Sequence, residues 1–216
     1  MRTVQDVAQV ENHWWWRPGW QAGRHYYACH IIFENEPDIQ NLAAAYQEPL
    51  TQFPGLDLIP RPWLHLTMQG IGFTDSVSDS EISAITTGIS IRLAMVTPPL
   101  VTFARPIVRT EAIYLPAAPV NAFDGVRTNA YEAIKEVLGP KRSPDINVTQ
   151  TLKKYTPHVS IAYVNTNSSA LPYIEALRSV SHEPVTLQIR RASVLTFHRD
   201  NRMYEWTKAI PVTIGS

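Results

Sequence analysis

Two short strings constrain this chain more than anything else in it: Trp63-Leu64-His65-Leu66-Thr67-Met68 and Thr156-Pro157-His158-Val159-Ser160-Ile161. Each places a histidine, one apolar residue and a hydroxyl residue inside an otherwise apolar run. Along a strand, residues i and i+2 project to one face. His65 therefore projects with Thr67, and His158 with Ser160, while Leu66 and Val159 point to the packed side. The two histidines stand 93 residues apart, and the same order of elements surrounds each: helix, motif strand, helix, then two strands. That repetition of order, without repetition of residues, predicts two α+β lobes whose sheets face one another.

The individual elements follow from periodicity and punctuation. In the first half the pattern predicts a strand over 25–33, a helix over 37–50 with Pro37 near its start, and the motif strand over 63–73. Ser78 or Asp79 can cap a helix reaching about residue 95 through Ile82, Ile85, Ile89 and Leu93. Pro98-Pro99 stops it, and strands over 100–104 and 107–115 follow. The second half predicts a helix over 122–138 ended by Gly139-Pro140, a polar loop over 141–154 and the motif strand over 155–164. A helix over 168–180 and strands over 185–197 and 203–212 complete it. With no Gly/Ser-rich linker between the halves, 1–216 is expected to pack as one bilobal domain. Residues 1–23 form a separate arm holding four of the six tryptophans, Trp14, Trp15, Trp16 and Trp20. Its indoles can dock on the core or offer a stacking surface for a base.

Composition narrows the function classes. Lys plus Arg equals Asp plus Glu, at 19 each, so the chain lacks the cationic excess that coats long nucleic acid. A small phosphorylated ligand needs only a local cluster. The single cysteine, Cys29, allows no intramolecular disulfide and no cysteine-rich zinc site. No apolar signal core and no apolar run of membrane-spanning length is present, so a cytoplasmic monomer with no membrane association is expected. No Gly-rich phosphate loop, His-Glu-x-x-His string or carboxylate cluster occurs, and neither a metal nor an organic cofactor is expected.

The paired motifs suit a phosphate. Thr67 and Ser160 hydroxyls can donate to non-bridging oxygens, and an imidazole near its ordinary pKa of about 6.5 can take or give a proton at neutral pH. Two such units facing one another supply one base and one acid for an in-line displacement at phosphorus. His65-Leu66-Thr67, with its strand continuing through Gly70 to Phe73, and Tyr155-Thr156-Pro157-His158-Val159-Ser160-Ile161-Ala162-Tyr163 resemble the motifs of the two-histidine (2H) phosphoesterase superfamily. The resemblance is to its 2′-5′ RNA ligase-like and cyclic phosphodiesterase branch, and it extends from about Arg24 to Val212. It implies an α+β bilobal fold of two facing, mainly antiparallel sheets, with helices outside and a central groove floored by the motif strands. It implies His65 and His158 as the acid/base pair and Thr67 and Ser160 as phosphate ligands. The expected reaction is metal-independent hydrolysis of a cyclic phosphodiester, such as the 2′,3′-cyclic phosphate of a nucleotide or a short RNA end. A 2′-5′ RNA ligase or 2′-5′ phosphodiesterase is the alternative enzyme, and a nucleotide sensor without turnover is the alternative outside catalysis.

Other residues admit two readings. Trp63 shares the strand parity of His65 and Thr67, so it can stack a base or pack in the core. Tyr155 and Tyr163 have the opposite parity to His158, which predicts packing. His30 and Tyr26 share one face of the first strand, either bordering the groove or serving structure. His13, His182 and His198 are expected to be solvated or capping. Arg105, Arg109, Arg190, Arg191, Arg199 and Arg202 follow the two motifs and can hold a second phosphate or stay at the surface. Lys141-Arg142 and Lys153-Lys154 form a basic loop that can guide an anionic substrate.

Overall fold

The computed structural model describes residues 5–142 and 155–215. In chain order the elements are β1 (Gln9–Val10), β2 (Tyr26–Ile32), α1 (Pro37–Gln47), β3 (Leu56–Leu58), β4 (His65–Phe73), α2 (Asp79–Leu93), β5 (Leu100–Phe103), β6 (Ile107–Val108), β7 (Ala112–Ala118), α3 (Asp124–Leu138), β8 (His158–Val164), β9 (Ser168–Ser169), α4 (Leu171–Arg178), β10 (Val185–Gln188), β11 (Arg191–His198) and β12 (Glu205–Thr213). Local chemistry sets several ends. Pro37 opens α1, where its missing N–H costs nothing. Ser78 caps α2 in a reciprocal capping box with Glu81. Gly139, at a positive φ of 71°, closes α3.

Two antiparallel sheets carry the motifs. One runs β12-β11-β2-β4 and holds His65; the other runs β10-β5-β7-β8-β3, with β6 on β7, and holds His158. The element order predicts that each half of the sequence builds its own lobe. The sheets instead exchange strands: β5 and β7, from the first half, pair into the sheet of β8, while β11 and β12 return to the sheet of β4. The helices exchange too. α3 packs behind β4 and against α2, and α1 packs behind β8. Each sheet therefore contains strands from both halves of the sequence.

Two further differences from the sequence pattern are local. The apolar run over 185–197 is broken at Ile189–Arg190 into β10 and β11, which belong to different sheets. The helix expected from residue 168 starts at Leu171, because Ser168 and Ser169 pair with Val10 and Gln9. That pairing makes a separate two-stranded sheet, and the arm is fastened to the second sheet by Val7 N–H to the Val108 carbonyl and His13 N–H to Val164, with Glu11 N–H on Thr110 between them.

The core lies between sheets and helices. Leu66 and Val159, the middle residues of the two motifs, are fully buried, as are Phe33, Phe103 and Phe123. Among the described residues, no helix is long and apolar enough to cross a membrane.

Candidate active site

Both motif strands face one groove of about 720 Å³, lined by His65, Thr67, His158 and Ser160 among others. The geometry around the two histidines is nearly the same. His65 Nδ1 lies 2.8 Å from the Trp63 carbonyl, and His158 Nδ1 lies 2.7 Å from the Thr156 carbonyl. A carbonyl only accepts, so each ring carries its proton on Nδ1 when neutral, leaving the Nε2 lone pair for the groove. The strand beside each motif stacks a ring on its imidazole. His30, opposite Thr67, lies 5.1 Å from His65 at 14°; Tyr114, opposite Ser160, lies 4.2 Å from His158 at 30°.

Bulges aim these side chains. In β4 Met68 and Ile71 have no partner residue on β2, and in β8 Ile161 has none on β7. An unpaired residue shifts the alternation of everything after it. Gly70 thus lines the groove with His65 and Thr67, and Tyr163 lines it with His158 and Ser160. This corrects the parity reading of Tyr163, which a regular strand would turn to the opposite face. The bulged carbonyls are held from behind. Arg127 Nε of α3 donates to the Met68 carbonyl at 2.8 Å, and Gln47 Nε2 of α1 joins the Ile59 N–H on the Ile161 carbonyl. The Arg127 guanidinium also lies 3.7 Å from the centre of the Tyr155 ring, whose hydroxyl donates to the Thr67 carbonyl at 2.6 Å. Tyr155 therefore packs between lobes, as its parity predicts.

The arm supplies the groove's far wall. His13 is buried, stacked on Tyr163 at 4.4 Å, with Nε2 3.0 Å from the Tyr204 hydroxyl and Nδ1 3.4 Å from Glu111. The expectation of a solvated His13 is overturned because the arm is strapped to the second sheet by the backbone bonds described above. Trp14 Nε1 donates to Asp57, Trp15 Nε1 to Glu111, and Trp20 packs on Tyr26, Phe73 and Phe197. Trp15 and Trp16 remain half exposed.

The remaining sequence candidates divide. Trp63 sits in a 3-10 turn before β4, edge-on to Trp206 at 4.7 Å, and its side chain does not line the groove. Tyr26 and His30 do line it, as does Arg109. Arg199 is buried behind the arm with Nη2 on the His13 carbonyl. Arg202 pairs with Asp57, Arg190 bonds Gln188, and Arg105 and Arg191 are exposed outside this groove. His182 is exposed, and His198 lies between Asp200 and Glu205 and against His25. Arg142 is engaged by Glu81 and the Ser76 carbonyl; Lys153 and Lys154 lie outside the described residues. Tyr114, Tyr204 and Glu111 line the groove without a sequence signal. Strand pairing brings Tyr114 there and the turn before β12 brings Tyr204, and neither can be read from one strand alone.

Burial in this aromatic groove keeps its imidazoles neutral. His30 is pushed down to about 3 by burial and then by His65. His65 is pushed down to about 4 by burial, opposed by its bond to the Trp63 carbonyl, and His158 is also lowered by burial. His13 falls to about 3 through burial and then Arg17. In the unfolded chain these groups take a proton near pH 6.5, so below that pH the unfolded state binds more protons than the folded one. Stability should fall with acidification between about pH 6.5 and their folded pKa values. The slope approaches about 1.4 kcal/mol per pH unit for each of the buried His13 and His30. Urea midpoints measured from neutral to acidic pH check this. The expected decline should be shallower in His30→Gln, and an identical decline in that variant would remove His30 from the account.

A family model described as the 2′-5′ RNA ligase superfamily matches residues 35–201. No protein of curated function matches the sequence. Among solved structures, the fold is similar to TT0787 of Thermus thermophilus (15% identity, TM-score 0.61, covering 88% of this chain and 97% of that one). It is also similar to E. coli LigT complexed with phosphate (10% identity, TM-score 0.54, 89% and 99%) and to E. coli LigT complexed with 3′-AMP (10% identity, TM-score 0.52, 89% and 99%).

Proposed function

Because this chain belongs to the 2′-5′ RNA ligase superfamily, the two-histidine phosphoesterases, we propose that it hydrolyses a cyclic phosphodiester, the 2′,3′-cyclic phosphate of a nucleotide or short RNA end. One observation carries the reading: two imidazoles on opposite sheets, each fixed by Nδ1–H to the carbonyl two residues before it, share one groove with Thr67 and Ser160. The phosphate and 3′-AMP bound by E. coli LigT support a small phosphorylated substrate.

In this reading the phosphodiester sits between His65 and His158, its non-bridging oxygens accepting from the Thr67 and Ser160 hydroxyls. One histidine, neutral, takes the proton of the attacking water through Nε2. The other, protonated, gives its Nε2 proton to the departing ribose oxygen as the P–O bond breaks. The pair thus works with one proton between two rings, and each hydrolysis returns that proton to the opposite histidine. Burial lowers both pKa values; the negative charge of a bound phosphodiester raises them again, which favours the singly protonated pair only when substrate is present.

The test is incubation with the four nucleoside 2′,3′-cyclic monophosphates in EDTA, with products separated by chromatography. We expect a 2′- or 3′-monophosphate from at least one base. No product from any of them, with 2′-5′ oligonucleotides cleaved instead, would replace this substrate by the 2′-5′ linkage.

A further inference from the structure

The groove has two ends of different chemistry. Among the residues that line it, the fixed cations are Arg17 and Arg109, and both stand at the arm end with Glu111. Behind them Arg199 is buried; Arg17 pairs with Glu111, while Arg109 Nη1 donates to the Gln5 carbonyl at 3.0 Å, so this end holds more guanidinium groups than carboxylates. Asp57, the nearby acid, is already engaged by Trp14, Asn165 and Arg202. Arg17 Nη2 bonds Glu111 at 2.5 Å, but Arg17 Nε and Arg199 Nη1 are buried without a hydrogen-bond acceptor among the described residues. A buried donor left unpaired costs about 1–3 kcal/mol, more when charged, so positive charge at the arm end is incompletely balanced and favours an anion beside it. Tyr204 stands between the two ends, its ring 6.0 Å from that of His65 and 5.7 Å from that of His13. Arg17 also lies outside the span matched by the family model, residues 35–201.

We propose that Arg17 and Arg109 form a second anion subsite that takes a phosphate monoester of the same substrate molecule. The preferred substrate then carries its cyclic phosphodiester at one end and a terminal phosphate at the other, as in a nucleoside 2′,3′-cyclic phosphate bearing a 5′-phosphate or a short 5′-phosphorylated oligonucleotide. Guanidinium forks match phosphate oxygens in pairs, and Arg199 behind them strengthens the local positive field. The identity of the reacting end rests on the reading under Proposed function; the subsite itself does not.

Binding tests the subsite alone. Calorimetry of adenosine 3′-monophosphate and adenosine 3′,5′-bisphosphate should show the bisphosphate about tenfold tighter or better, a gap expected of a charge-assisted bidentate contact. The gap should shrink to less than about threefold in Arg17→Met and in Arg109→Met, and widen in Glu111→Gln, where the competing carboxylate is gone. Equal affinities in the wild-type protein, or a gap unchanged in all three variants, would overturn the subsite. Kinetics separates it from the reaction. Turnover of cyclic phosphates with no preference for a 5′-phosphate would remove the subsite and keep the reaction. A bisphosphate gap with no turnover of either would keep the subsite and remove the reaction.

Discussion

His65→Ala and His158→Ala should each lower turnover of the cyclic phosphate by about 10²–10⁴-fold or more, the range of a lost proton-transfer role. The two losses should not add. With one ring gone, the remaining histidine has no partner to carry the complementary proton, so the double variant should be about as slow as the worse single one. Stability should change far less. Each ring contributes one hydrogen bond to a backbone carbonyl, worth about 1 kcal/mol net, and ring contacts: His65 with His30, Tyr204 and Trp206, His158 with Tyr114. Initial rates alongside urea melts distinguish a lost reaction from a lost fold. Comparable losses in both measurements would make the histidines structural.

Arg127→Met should be the most damaging change outside the groove. Arg127 is itself buried. It reaches from α3 to the Met68 carbonyl, which the bulge frees on an edge strand, and it covers the ring of Tyr155, whose hydroxyl holds the Thr67 carbonyl. Losing a charged donor to a buried carbonyl costs about 1.5–3 kcal/mol, and the stacked ring adds about 0.5–2 kcal/mol. A destabilisation of about 2–5 kcal/mol is therefore expected. Arg127 and Tyr155 together hold the Met68 and Thr67 carbonyls, so losing Arg127 should loosen Thr67, and kcat should fall more than KM rises. Gln47→Leu on the other sheet should cost less, since the Ile161 carbonyl keeps the Ile59 N–H. A change below about 0.5 kcal/mol in Arg127→Met, the level of ordinary surface substitutions, would remove this support from the account.

The strands that carry the motifs were legible because their chemistry is local. An apolar run broken only by His-x-Thr or His-x-Ser declares both the strand and its polar face, and Leu66 and Val159 are buried where that pattern requires. The helices were legible for similar reasons, with Ser78, Pro37 and Gly139 marking their ends. What the sequence concealed is non-local. Nothing in the residues of β5 and β7 says that they join β8 rather than β4, because both sheets offer an apolar face of the same kind. A bulge leaves no mark either: Ile161 reads like any other strand residue, yet it turns Tyr163 into the groove. His13 lies between Asn12 and the tryptophan run, with no strand or helix pattern to say which way its ring turns. Its N–H bond to Val164 at the end of β8, and the Arg199 bond to its carbonyl, carry it to Tyr163 and Tyr204.

The most direct measurement of the central claim is the pH dependence of kcat/KM for a nucleoside 2′,3′-cyclic phosphate, taken in EDTA from about pH 5 to about pH 9 over the range where the protein stays folded. Two histidines sharing one proton predict a bell. Because burial lowers both groups, its maximum should lie on the acid side of about pH 6.5, with the rate declining through neutrality as the shared proton is lost. A rate that is flat across this range, or that climbs steadily to its alkaline end, would contradict catalysis by the His65–His158 pair.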